Sequence, residues 1–143
     1  MGYGDLAKQI YLGKSDTIVA NITAGNDIPG LSIDGASVKR VFDSLQVNGQ
    51  RYAVQIRVKF PGTVPTTPSV VARLRGAPAL TKEEAVTTDL WFTIKDTTAL
   101  TAAGVRQDAD AGPFPRWVQV VSGAITAVAW NGGATIEVWL VGC

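Results

Sequence analysis

Residues 51–60 read RYAVQIRVKF. Arg51, Ala53, Gln55, Arg57 and Lys59 occupy one set of alternate positions, and Tyr52, Val54, Ile56, Val58 and Phe60 the other. An unbroken period of two predicts a strand with an apolar face and a basic face. The apolar set belongs to a core. The basic set can sit in water, meet another chain, or grip nucleic acid.

The same period recurs along the chain. Strands are expected in 16–23 (DTIVANIT), 69–75 (SVVARLR), 90–95 (LWFTIK), 116–121 (RWVQVV), 124–130 (AITAVAW) and 135–141 (TIEVWLV). Segment 37–45, SVKRVFDSL, fits helical spacing at Val38, Val41, Phe42 and Leu45. The hairpin signal Asn48-Gly49 behind it favours a strand instead. Thr81 and Glu84 form a capping box, so TKEEAV is expected to make a turn of helix, and Asp96 to Gly104 suits a second one. Proline-rich loops at 61–68 and 112–115 interrupt any continuous sheet. Seven or eight short strands with frequent turns specify an all-β antiparallel β-sandwich, with a jelly roll favoured over an immunoglobulin-like order. The 143 residues suit a single domain, residues 1–15 being an extended N-terminal arm.

Composition excludes several functions. There is no histidine, and the single cysteine is Cys143, which removes the common nucleophilic triads, histidine zinc sites and any intrachain disulfide. GLSIDG (30–35) lacks the second glycine of a nucleophile elbow, because Asp34 takes its place. Asp108 and Asp110 in DADAG open like a calcium loop, but Gly112 and Pro113 follow where ligands are needed, so the stretch reads as a polar turn. The sequon Asn21-Ile22-Thr23 reads as chance, since the N-terminus lacks the basic and apolar regions of a signal peptide. No apolar run is long enough for a membrane span. The expectation is a protein that is not an enzyme and has no metal or cofactor.

Charge is balanced in total, at +1, but segregated along the chain. Lys39 to Arg75 holds seven bases and one acid, and Lys82 to Asp110 holds three bases and six acids. Such halves can pair between copies or within one molecule. If the strands at 51–60 and 69–75 shared a sheet, Arg51, Arg57, Lys59, Arg73 and Arg75 would share a surface. Trp91 and Trp139 fall on the polar sides of their strands, and tryptophan with arginine is the pairing most enriched at protein contacts. These seven residues are the candidate interface. A nucleic-acid module is usually basic overall, which this chain is not.

Short strands rich in Thr, Ala, Gly and Val, the lack of histidine and disulfides, the turns VNGQ (47–50) and WNGGA (130–134), and the late strand TIEVWLVGC (135–143) together resemble the head decoration, or cement, proteins of tailed bacteriophages. The resemblance implies a structural protein of the virion, assembled in the host cytoplasm. Such a protein binds the major capsid protein or another virion protein as a homo-oligomer, commonly a trimer, and stiffens the shell. A carbohydrate- or receptor-binding module, such as a tail accessory protein, is the alternative, with Trp91, Trp117 or Trp139 as a stacking platform for sugars.

Overall fold

A computed structural model describes residues 9–31, 42–43, 52–88, 90–110 and 115–142. The strands are β1 (Gln9–Lys14), β2 (Phe42–Asp43), β3 (Tyr52–Lys59), β4 (Ala72–Gly76), β5 (Phe92–Asp96), β6 (Gly104–Asp110), β7 (Trp117–Ser122) and β8 (Thr135–Gly142), with one short helix, α1 (Lys82–Thr87), between β4 and β5. They form two antiparallel sheets. The first runs β1-β8-β3-β6, and the second β2-β7-β4-β5, where β2 is a two-residue edge. Pairing is nested along the chain: β1 with β8, β2 with β7, β3 with β6, and β4 with β5. The sheets enclose one main apolar core. Val54, Ile56 and Val58 of β3 and Ile136, Val138 and Leu140 of β8 meet Ala72 and Leu74 of β4 and Val118 of β7. This is a β-sandwich, as the alternation in the sequence predicts.

The opening stretch folds as read. Val54, Ile56 and Val58 are buried, and Phe60 packs partly against the same core. The Tyr52 side chain lies outside the described residues. The capping box also forms: Glu84 donates its backbone N–H to Thr81 Oγ1 at 3.2 Å, and its carboxylate accepts from Leu80 N at 3.0 Å.

Other expectations are corrected. Residues 9–14, placed in an arm, are β1, paired to β8 with a bulge between Tyr11 and Gly13. Residues 16–23 and 124–130 alternate but make only single bridges, Ile18 to Ala134, Ile22 to Ile125, Thr126 to Ser69 and Ala129 to Thr66. Asp96–Gly104 is not helical. Asp96 ends β5, Thr97 exchanges hydrogen bonds with Ala72 of β4, and Leu100 bridges Val70. The β-branched threonines at 97, 98 and 101 disfavour a helix there. DADAG is not a free turn: Asp108 and Asp110 belong to β6. Leu90 and Phe92 are 67% and 46% exposed: Leu90 precedes β5, and Phe92, though it shares a face with Ile94 over Gly76, sits at the start of an edge strand. Of SVKRVFDSL, Phe42–Asp43 is strand and the rest lies outside the described residues, as does the Asn48-Gly49 turn. The strands flanking that turn, β2 and β3, lie in different sheets.

The edge strand β6 places polar side chains on its core-facing side. Arg106 opposes Ile56 and Asp108 opposes Val54 in the pairing with β3. Arg106 Nε donates to Asp108 Oδ2 at 3.2 Å, and the two share Thr98, whose hydroxyl accepts from Arg106 Nη2 at 2.9 Å and donates to Asp108 Oδ1 at 3.1 Å. This knot closes the β5–β6 side of the sandwich. Inward-pointing charges also discourage another chain from pairing with the edge.

Candidate functional site

On the outer face of the first sheet, cross-strand register aligns Tyr11, Trp139, Gln55 and Gln107 in one row across all four strands. The next row is Lys14, Glu137, Arg57 and Val105. Tyr11 and Trp139 rings lie 5.2 Å apart, tilted by 49°. The Arg57 guanidinium sits 5.3 Å from the Trp139 ring centre, within range of a cation–π contact. Lys59 Nζ approaches Glu137 at 3.7 Å, a solvent-facing ion pair of small energetic weight. Arg57 thus covers one face of Trp139, while Tyr11 remains half exposed.

The outer face of the second sheet carries the other candidates. Arg73 grips Asp96 through two bonds, Nε to Oδ1 at 2.7 Å and Nη2 to Oδ2 at 3.1 Å. That hydrogen bonding raises the Arg73 pKa above its ordinary value against a smaller desolvation effect. Arg75 donates from Nε to Gln119 Oε1 at 2.6 Å and lies 5.3 Å from the Trp91 ring centre. Burial pushes the Arg75 pKa down, opposed by the charge of Asp27. Trp91 is half-buried beside Ala77, Ala79, Ala85 and Trp117.

The candidate residues therefore do not form one surface. β3 and β4 belong to different sheets, so Arg57 and Lys59 face away from Arg73 and Arg75 on the opposite side of the sandwich. Arg51 lies outside the described residues. Trp91 and Trp139 are likewise on opposite faces, and Trp117 is buried, so the three indoles build no common platform. One pair closes the charge segregation within the molecule, Arg73 with Asp96 across β4–β5, while Lys59 pairs across β3–β8 with Glu137, outside the acidic stretch.

A third surface was not anticipated. The connections at 15–31, 60–71, 97–103 and 123–134 meet at one end of the sandwich. The bridges Ile18–Ala134, Ile22–Ile125, Thr66–Ala129, Ser69–Thr126 and Val70–Leu100 join them. Within this end, segments 17–26, 60–71, 97–103 and 123–134 contain no Asp, Glu, Lys or Arg, although such residues make up 17% of the chain. Val19, Val64 and Val128 there are 63%, 59% and 79% exposed. The loops are pinned. Asn131 donates from Nδ2 to Val64 O at 2.9 Å, and Asn21 Oδ1 accepts from Ala127 N at 3.1 Å and from the Trp130 indole at 3.0 Å. Asn21 of the sequon is thus a structural acceptor. Replacing Asn21 by alanine leaves the largely buried Trp130 indole N–H without its acceptor, and should cost about 1–2 kcal/mol in urea unfolding; an unchanged midpoint would show that this bond carries nothing. The sequence signal for this end was the charge-free loops, legible only once the topology gathers them.

Among the described residues no three His, Cys, Asp or Glu side chains are grouped to hold a metal ion, and no helix is long and apolar enough to cross a membrane. Comparison with family models, with curated proteins and with solved structures gives no match to this chain.

Proposed function

We propose that this chain is a non-enzymatic structural protein that works by binding: a β-sandwich subunit that self-associates and attaches to the shell of a phage particle, as head decoration proteins do. The observation that carries this reading is the hydrogen-bonded loop end, charge-free over 17–26, 60–71, 97–103 and 123–134, with Val19, Val64 and Val128 exposed. The centres of protein contacts are depleted in charge, and clustered exposed apolar side chains on a pinned scaffold mark a binding surface. The nested strand pairing supports the same reading. We read this nesting within two antiparallel sheets as a jelly-roll order, an architecture found in viral capsid and lectin domains.

Light scattering at micromolar concentration tests the self-association. The expected result is an oligomer, a trimer in the simplest case. Val64→Lys with Val128→Lys should return the chain to a folded monomer, since both side chains already face solvent in one copy, with a melting temperature that no longer rises with concentration. A wild-type chain that scatters as a monomer at every concentration, and does not sediment with phage shells, would end the proposal.

A further inference from the structure

Three buried side-chain nitrogens find no hydrogen-bond acceptor among the described residues: Arg75 Nη2, Gln119 Nε2 and Trp117 Nε1. They lie on the outer face of the second sheet. Arg75 and Gln119 are register partners across β4 and β7, and Trp117 stands two residues before Gln119, hence on the same face. Trp91 links them, with its ring against the Arg75 guanidinium and its body in the apolar cluster that contains Trp117.

The chemistry of this group is one-sided. Nη2 and Nε2 each carry two hydrogens and the indole one, and none of the three can accept. The Gln119 amide cannot reverse to relieve this, because its oxygen already accepts from Arg75 Nε at 2.6 Å. Gln119 is 1% exposed and Trp117 9%, so solvent does not reach the two neutral donors. Among the described residues no carboxylate pairs directly with Arg75, in contrast to Arg73 and its bidentate Asp96; the charge of Asp27 acts on Arg75 only through space. Buried donors without acceptors are costly, and buried arginine is normally paired.

The geometry points to a carboxylate-binding site formed by Arg75, Gln119 and Trp117 beneath Trp91, filled by an acidic side chain of a partner protein. It rests on the reading of the chain as a binding protein and names the chemistry of a second contact, on the outer face of the second sheet and not among the loops that carry the exposed valines. A carboxylate supplies oxygens for the fork of Arg75 and for the amide and indole N–H groups together, and it restores the charge balance around a desolvated guanidinium. Trp91, half-buried on the connection between α1 and β5, is the described ring set against the Arg75 guanidinium.

Nitrogen-15 NMR of the full chain reads the site directly through the Trp117 indole, the Gln119 amide and Arg75 Nε. The probes are a capped Gly-Glu-Asp-Gly peptide, its Gly-Gln-Asn-Gly counterpart, acetate and inorganic phosphate. The expected result is saturable shifts of all three signals with the acidic peptide and none with the amide peptide. Arg75→Gln should weaken that response by about tenfold or more. Gln119→Glu supplies the acceptor from the chain itself, so it should melt about 3 °C higher and lose the response. Three outcomes overturn the proposal: no shift with the acidic peptide, a shift with phosphate that neither the acidic peptide nor acetate gives, or a Gln119→Glu chain that melts lower. These readings use the monomer's own signals, so they stand or fall separately from the light-scattering test of self-association.

Discussion

Ile56→Ala should lower the unfolding free energy by about 4 kcal/mol, the upper part of the range for a fully buried aliphatic truncation. Ile56 has no exposed surface and sits at the middle of β3, the strand held on one side by β8 and on the other by β6. Its register partners are Val138 and Arg106. On the core side it belongs to the cluster in which both sheets meet, so collapse around the lost methylenes is blocked from two directions. A domain of this size has a total stability of about 5–15 kcal/mol, so the change removes a large share of it. The melting temperature should fall by about 10 °C. Val105→Ala is the matched control: Val105 is also apolar and also in the first sheet, but half exposed on the outer face of edge strand β6, and should move stability by less than about 0.5 kcal/mol. Urea unfolding followed by tryptophan fluorescence measures both. Equal effects for the two would contradict the assignment of inner and outer faces.

Gly133→Ala should cost about 3 kcal/mol, an unusual amount for adding one methyl group near a surface. Two penalties combine. Gly133 has φ +79°, a conformation that costs an L side chain about 1–2 kcal/mol. A Cβ there would also stand 2.6 Å from Thr17 Cγ2 and 2.8 Å from the Ile18 carbonyl oxygen. That oxygen accepts from Ala134 N at 3.1 Å, so the backbone cannot retreat without loosening the Ile18–Ala134 bridge. Gly25 separates the two penalties. Its φ is +92°, but a Cβ there meets nothing within 4 Å. Gly25→Ala should therefore lose only the backbone part, about 1 kcal/mol. A Gly133 variant no worse than the Gly25 variant would mean the 15–31 and 123–134 connections are not in contact.

The parts of the fold that the sequence announced are those whose two faces meet different environments. RYAVQIRVKF and TIEVWLV alternate because β3 and β8 are inner strands of a sheet with core on one side and solvent on the other. β6 was hidden because its core-facing positions include Arg106 and Asp108, satisfied by each other and by Thr98, so it carries no apolar stripe. β1 was hidden by the bulge at Gly13, which breaks the period. The alternation in 16–23 and 124–130 was real, since Ile18, Ile22 and Ile125 do point inward, but those segments cross at the loop end and pair at single residues. The candidate site suffered from a different gap. Which strands are neighbours is a long-range property, and no local pattern states that β3 and β4 lie in opposite sheets. For the same reason the sequence could name Arg75 and Trp91 as outward-facing but could not bring Gln119 and Trp117 beside them.

The nested pairing also bears on how the chain reaches its native state. Among the described strands only β4 and β5, joined through α1, are both neighbours in the sequence and partners in a sheet. Each further pair outward closes a longer loop, up to β1 with β8, and every closure adds an entropic cost before its contacts form. Assembly from the middle outward is the low-cost route. β8, which follows the other described strands in the sequence, is the inner neighbour of both β1 and β3. Until it emerges the first sheet has no continuous centre, and the apolar faces of β1 and β3 wait exposed on the nascent chain. The burden on chaperones, and the chance of pairing with another unfinished copy, are therefore greatest while β1 and β3 are made and β8 is not.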